Sequence, residues 1–336
     1  MSASAGLPAI FASSEILELT LTVDLNTLIN DSGDHPGEHA ATLERTGVER
    51  GVEQDASVQE ILVQVRGNFR RQKTNCNFPP LRLNFKKKAV QGTIYEGLDK
   101  VKLVTHCQNL DKTYNQRVLL EYLAYKFYNQ LTPLSFNARL VKMTYKDENN
   151  DRKKMTKFGF LIEDDDQMAK RNGGDIIKKT IAHQDSTNYD QMTLLSVFQY
   201  FLGNTDWSVS ALHNIRLVHR AADTGSDLEE MLMPVPYDFD WSGLVNAPYA
   251  KPSGNLSINT IRDRLFRGYC RTEAELEPYF DLFREEQPAI NKLIDELEPL
   301  GRKYKRSTRQ YVDRFYKTIN SGRKIRRNFI KSCRKN

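Results

Sequence analysis

Residues 100–130 read KVKLVTHCQNLDKTYNQRVLLEYLAYKFYNQ, and the period of their apolar side chains changes partway through. Lys100 to Thr105 alternates polar with apolar residues, the period of two that a half-buried strand requires. Over residues 112–130 the spacing becomes three and four. Val118, Leu119, Tyr122, Leu123, Tyr125 and Tyr128 then share one side of a long amphipathic helix. A strand handing over to a helix here separates a strand-rich beginning from a helix-rich end.

Working back, EILELTLTVDLNTLI (15–29) alternates Leu17, Leu19, Leu21, Val23 and Leu25 with Glu18, Thr20, Thr22 and Asp24, which predicts a strand. Residues 31–57 are polar and read as a loop or an extended surface segment. QEILVQVR (59–66) predicts a second strand, broken by Gly67-Asn68 before the basic cluster Phe69-Arg70-Arg71. Pro79-Pro80 opens the extended stretch Leu81–Phe85. These early strands favour an antiparallel amino-terminal sheet. Working forward, 138–145 and 157–163 predict two strands around a charged turn, and 191–202 a helix stopped by Gly203. Strands follow near 214–219 and 231–237, then helices over 272–299 and 303–319. The order predicts an α+β protein.

Composition narrows the function classes. The 336 residues are 39% hydrophobic and 27% charged, with a mean hydropathy of -0.59. That excludes a membrane-embedded or mostly disordered chain, and no apolar run reaches the roughly 18 residues that span a bilayer. The net charge of +6 is uneven: residues 301–336 hold 14 Lys/Arg against Asp313 alone, and the remainder is net acidic. In that tail Tyr304, Tyr311, Phe315, Tyr316 and Phe329 interleave with the cations. This fits an amphipathic helix packed by its aromatics, and specific nucleic-acid binding is not expected. Cys76, Cys107, Cys270 and Cys333 show no CxxC spacing. Buried free thiols are the default expectation, with a single disulfide as the alternative in an exported chain. Met1 to Ser14 has no basic residue and is no secretory signal as it stands. A chain whose signal had been removed would look the same, so an exported and a cytoplasmic location both stay open.

The chemistry concentrates in GNTDWSVSALHNIRLVHR (203–220) and MLMPVPYDFDWSG (231–243). Asp206 follows a helix, Asn214 opens a strand, and Asp238-Phe239-Asp240 follows the next strand. Hard oxygen ligands of this kind suit Mg²⁺ or Mn²⁺. Phosphotransferases of the protein-kinase type use the same order. Asp206 would orient or deprotonate the nucleophile, Asn214 and Asp238 would hold metal, and Asp240 would be an auxiliary ligand. Taken singly, each also reads as a turn or capping residue, and His213 as a packing or hydrogen-bonding side chain. The interval from Asp206 to Asn214 is eight residues, longer than in the kinase catalytic loop, so either the loop bulges or Asn214 is not the ligand. There is no Walker A lysine and no GxGxxG. The cation for the phosphates is expected at Lys102, then Arg82 or Arg66, with Glu121 as the partner of Lys102 or part of a surface salt bridge. RGNFRR (66–71) offers a basic turn in which Gly67 permits close backbone approach.

Eight segments carry a family likeness: RGNFRR (66–71), FPPLRLNF (78–85), DKVKLVTHC (99–107), LLEYLAYKFYN (119–129), FGFLIEDDD (158–166), GNTDW (203–207), HN (213–214) and VPYDFDWSG (235–243). Together they resemble the CotH-type atypical kinases, first known as spore-coat proteins, and most closely their bacterial hypothetical-protein relatives. The likeness covers about residues 65–245. It implies a kinase-like two-lobed architecture, with a sheet-rich lobe over 1–165 that includes the long helix. A mainly helical lobe over 166–336 would carry the acidic hairpin and the basic tail. It further implies ATP with a divalent metal and transfer of the γ-phosphate to a protein hydroxyl. It sets Glu163 near the adenine, whereas the residues themselves read there as a solvated acidic turn. Two other function classes compete: a catalytically inactive kinase-like envelope or coat scaffold, and a metal-dependent hydrolase, for which no HExxH is present.

Overall fold

Alternate residues of Leu17–Val23 (β1) are buried, as the sequence pattern predicts. The strand ends where Asp24 accepts the Thr27 N–H at 2.9 Å and caps a helix, Leu25–Asn30 (α1). The expected strand over 15–29 is therefore cut short, and Leu25, Leu28 and Ile29 are buried at helical spacing instead. His39–Arg45 (β2) lies in the stretch expected to be a loop. Only part of each alternate set is apolar, which hides the strand in the sequence. Gln59–Val65 (β3), Leu81–Phe85 (β4), Lys100–Val104 (β5), the long helix Lys112–Leu131 (α2), Ala138–Asp147 (β6) and Met155–Ile162 (β7) follow. The computed structural model describes residues 6–46, 58–178, 182–220 and 231–335. The expected loop over 47–57 and the acidic loop at 221–230 lie outside the described residues.

The seven strands close into a barrel in the order β1-β2-β3-β4-β5-β7-β6. The seam is a parallel pairing of β1 with β6, from Leu17 opposite Val141 to Val23 opposite Asp147. Every other neighbouring pair is antiparallel. This overturns the expected kinase-like two-lobed architecture. The chain mixes strands and helices as an α+β protein does, but closure removes both sheet edges. The inward residues, among them Leu19, Leu21, Leu83, Leu103 and Met143, form one apolar cluster inside the barrel unit. The outward residues of the same strands stay partly exposed.

The chain groups into two units. One is Gly6–Tyr122 with Asn137–Asp164, the barrel. The other is Leu123–Phe136 with Asp165–Asn336, so α2 contributes to both. The second unit holds Asp165–Arg171 (α3), Gly174–Ile177 (β8), Tyr189–Leu202 (α4), Ile215–Arg220 (β9), Met231–Pro236 (β10), Glu273–Glu296 (α5) and Arg302–Ile319 (α6). Strands β8, β9 and β10 make an antiparallel sheet in the order β10-β9-β8. The acidic run that suggested a turn begins α3. Its Asp165 and Asp166 sit in the first turn and Lys170 and Arg171 in the last, each favourable to the helix dipole. In α6 the tail buries Tyr311, Val312, Phe315 and Tyr316 on one face. Among the described residues no helix is long and apolar enough to cross a membrane.

The cysteines depart from the free-thiol expectation. Cys76 pairs with Cys107 in the barrel unit, Cys270 pairs with Cys333 in the other, and none is left free. Beside the first disulfide, His106 is fully buried. Its ring lies 4.7 Å from that of Phe78, and Nε2 is 2.9 Å or less from one partner, Asn109 Oδ1, at 2.7 Å. Burial pushes its pKa down to about 4, the Asn109 hydrogen bond opposes this, and the nearby charges of Lys157 and Arg70 add to it.

The sign of the resulting pH dependence is fixed. The unfolded imidazole, near its ordinary 6.5, binds a proton that the folded one refuses. His106 therefore contributes stability that is complete above about 6.5 and lost as pH falls toward about 4. The change amounts to about 3 kcal/mol. Urea unfolding midpoints at a series of pH values should show this loss, and His106→Gln should flatten it. An equal slope in the variant would assign the effect to other groups.

Candidate functional site

Helix α4 stops at Gly203, whose φ of 63° makes a left-handed cap with its N–H on the carbonyls of Gln199 and Tyr200. A Cβ there would lie 2.0 Å from the Tyr311 hydroxyl, so only glycine fits. Asn204 Oδ1 then accepts the Asp206 N–H at 3.0 Å and turns the chain. Trp207 and Val209 anchor the following loop in a small core with Met192, Leu195, Ile215 and Leu217. Ser208 and His213 exchange two backbone hydrogen bonds of 2.9 Å, closing that loop on itself.

The bulge returns the chain to Asp206. Asn214 Nδ2 donates to the Asp206 carbonyl at 2.8 Å and to its Oδ2 at 3.0 Å. His213 Nε2 lies 2.9 Å from Asp206 Oδ1. Both carboxylate oxygens of Asp206 are thus oriented by the two residues that end the bulge. Asn214 is buried, and its amide nitrogen is committed to Asp206, which leaves Oδ1 as its acceptor toward any ligand.

Asp238 is brought alongside by the hairpin. Ile215 of β9 pairs with Pro236 of β10, and the Asn214 carbonyl accepts the Tyr237 N–H at 3.0 Å. The Asp238 N–H donates to the Tyr125 hydroxyl at 2.9 Å. Phe239 is fully buried, 4.8 Å from the Tyr125 ring and 5.7 Å from that of Phe198. Asn214 and Asp238 hold φ of 54° and 61°. A left-handed conformation costs a non-glycine residue about 1 kcal/mol or more, least for Asn and Asp, and it persists where packing over-determines it. Among the described residues of its unit, the Asp238 carboxylate has no hydrogen-bond or ion-pair partner. Asp240 differs: it is buried and accepts the Tyr249 hydroxyl at 2.7 Å, which ties the expected auxiliary ligand into the fold.

Sequence reasoning missed the segment that holds these pieces in place. Arg262 donates to the Gly243 carbonyl at 3.2 Å. Arg264 donates to the carbonyls of Tyr200, Phe201 and Tyr311 at 2.7 to 3.2 Å. Arg267 donates to the carbonyls of Thr205 and, at 3.0 Å, Trp207, the two neighbours of Asp206. One strap therefore satisfies the open carbonyls at the end of α4, around Asp206 and after the Asp238 segment. Burial pulls the Arg267 pKa down, Arg334 adds to that, and Asp206 opposes it. The strap runs into Cys270, whose disulfide and paired Arg334 backbone fasten it to the carboxy terminus. The available signal was Arg262, Arg264, Arg267 and Arg271 within ten residues that carry no helical period.

The remaining expected site residues belong to the barrel unit. Arg82 and Lys102 face outward on β4 and β5, directly opposite each other in the ladder. Arg66 follows β3, with its N–H on the Pro80 carbonyl at 2.9 Å. Glu121 is buried, with the Arg70 guanidinium at 3.9 Å. Glu163 is fully buried, not a solvated turn. Its Oε2 accepts both the backbone and side-chain N–H of Asn137 at 2.9 Å. Among the described residues no three His, Cys, Asp or Glu side chains are grouped to hold a metal ion. The acidic set is two aspartates and an asparagine.

Two substitutions separate strain from support. Asp238→Gly removes a left-handed aspartate and should stabilise the protein by about 0.5–1 kcal/mol in urea, after the glycine's own unfolded-state entropy is counted. Arg267→Ala leaves two carbonyls beside Asp206 without their donor and should cost about 2 kcal/mol. A destabilised Asp238→Gly, or a neutral Arg267→Ala, would contradict these roles.

No family profile matches the chain, and no curated protein matches it.

Proposed function

We propose that the Asp206–Asn214–Asp238 constellation makes this protein a phosphotransferase that uses ATP with Mg²⁺ or Mn²⁺ and acts on a protein hydroxyl. The observation carrying this reading is Asn214, whose side-chain amide donates to Asp206 and whose backbone carbonyl accepts the N–H of Tyr237, the residue before Asp238. The residues fit a hard divalent cation: an Asp238 carboxylate without a partner in its unit and an Asn214 Oδ1 left over by its own hydrogen bonds. A bound metal would supply charge neutralisation of the phosphates. Asp206, held through both oxygens, would orient a Ser or Thr hydroxyl for attack. The strain at Asp238 supports a role, because a costly backbone conformation with an unpartnered carboxylate stabilises nothing by itself. Both disulfides support an oxidising, exported location for the mature protein.

The inactive-scaffold reading has its own support, since Asp240 is tied to Tyr249 and no three-ligand group stands among the described residues. Titration calorimetry with ATP and Mn²⁺ decides between them. Wild type should bind, and Asp238→Ala should bind at least about tenfold more weakly, the loss of one charged contact. Asp206→Asn should keep that affinity and lose transfer of the γ-phosphate. Absence of binding by wild type, or full binding by Asp238→Ala, would return the protein to the scaffold class.

A further inference from the structure

The outer surface of the barrel unit bears a cleft of about 350 Å³ beside the ends of β3 and β4. Its lining includes Arg66, Arg71, Arg82, His35, Gly67 and Asn68. The guanidinium of Arg82 donates to Gln64 Oε1 at 3.2 Å, a neutral partner that leaves its charge uncancelled. Arg71 is steadied at the rim by the Gly33 carbonyl and by Asp34 at 3.2 Å, yet its Nε is buried without a hydrogen-bond partner. Asp34, almost wholly exposed, is the one carboxylate among the described residues of a lining that carries three guanidinium groups.

The backbone adds to this. Gly67 has φ of 87°, and the nearest neighbour to a Cβ built on it is Pro80 Cγ at 4.0 Å, so a ligand can approach the chain there. Among the described residues the N–H groups of Gly67 and Asn68 donate to no backbone carbonyl. Consecutive amides around a left-handed glycine form an anion-binding nest. Among the described residues the walls offer Pro36 and Val65 as their apolar surface and His35 as their one ring. Such a lining matches the fork geometry with which arginine holds phosphate oxygens.

We propose that this cleft is a binding site for a phosphate-class oxyanion, held by Arg66, Arg82, Arg71 and the Gly67–Asn68 amides. The assignment deepens the transferase reading, whose phosphates the sequence sets at Lys102, Arg82 or Arg66, and it is tested apart from that reading because it needs neither a metal nor Asp238. The oxyanion has two sources, the polyphosphate chain of a nucleotide or a free or esterified phosphate.

The test is calorimetric titration of the full chain with pyrophosphate and with orthophosphate, in the presence of a chelator. Binding is expected for wild type. Arg66→Gln and Arg82→Gln should each weaken it about tenfold, and Asp238→Ala and Lys142→Gln should leave it unchanged. Displacement of pyrophosphate by metal-free ATP identifies the nucleotide as the source. Binding of orthophosphate or a phosphomonoester that ATP does not displace identifies the other. Either result upholds the oxyanion site. Should the arginine variants not fold, amide shifts at Gly67 and Asn68 on titrating wild type with pyrophosphate give the same answer. Wild type that binds neither anion overturns the proposal, as does equal weakening by Lys142→Gln. A transferase that fails with Mn²⁺ and ATP while pyrophosphate still binds removes the proposed function and keeps this site.

Discussion

The barrel depends on one pairing, the parallel seam that joins Leu17–Val23 to Val141–Asp147. Without it β1 and β6 would each present an open edge and the apolar interior would have one uncovered side. The seam ends on Asp147, which is almost fully buried. One of its oxygens accepts the Leu25 N–H and the other the Asp151 N–H, both at 2.8 Å. A single carboxylate thereby terminates both strands, starting α1 on one side and turning the β6–β7 connection on the other. Closure also fixes what faces water. Because the side-chain period is two, burying Val63, Leu83 and Leu103 places Gln64, Arg82 and Lys102 in one outward row. The cations on the barrel surface are a consequence of how its interior is filled.

The second unit solves a different problem. Its acidic residues lie on loops, where backbone carbonyls have no ladder to satisfy them. The strap from Arg262 to Arg267 supplies the donors, and it does so with groups that remain charged. Lysine could not replace them, since Arg264 serves three carbonyls from one planar fork. Stacking reinforces the arrangement: Arg264 lies 3.8 Å and Arg262 4.5 Å from the centre of the Tyr311 ring. Tyr311 belongs to the basic tail, so the helix expected to pack by its aromatics is part of the support behind Gly203 and Gly243. Its lysines and arginines are the outer side of a helix whose aromatic face is buried.

Local periodicity made much of this legible. The alternation of β1, the helical spacing of α2 and α4, the glycine cap at 203 and the order Asp206, Asn214, Asp238 could all be read from neighbouring residues. Non-local events could not. An alternating strand looks the same in an open sheet and a closed barrel, and the seam partner of β1 lies more than a hundred residues away. Strand β2 and the short β8 carry too few apolar residues to announce themselves. Glu163 looked solvated because its acidic neighbours begin a helix, while its own carboxylate turns inward to Asn137. The disulfides join residues 31 and 63 positions apart, and spacing alone gave no reason to pair them.

The interval between Asp206 and Asn214 shows why motif spacing is a weaker guide than geometry. What sets Asn214 against Asp206 is the two-way backbone pairing of Ser208 with His213, together with Trp207 and Val209 held in the core. The remaining residues inside that closed loop do not set the distance. Loop-closure entropy grows slowly with length, by about 0.6 kcal/mol for each doubling. A longer loop closed by the same pair delivers the same amide to the same carboxylate. Longer spacing is therefore compatible with an intact constellation, provided that the residues at the neck of the loop keep their pairing and Arg267 keeps the carbonyls on either side of Asp206.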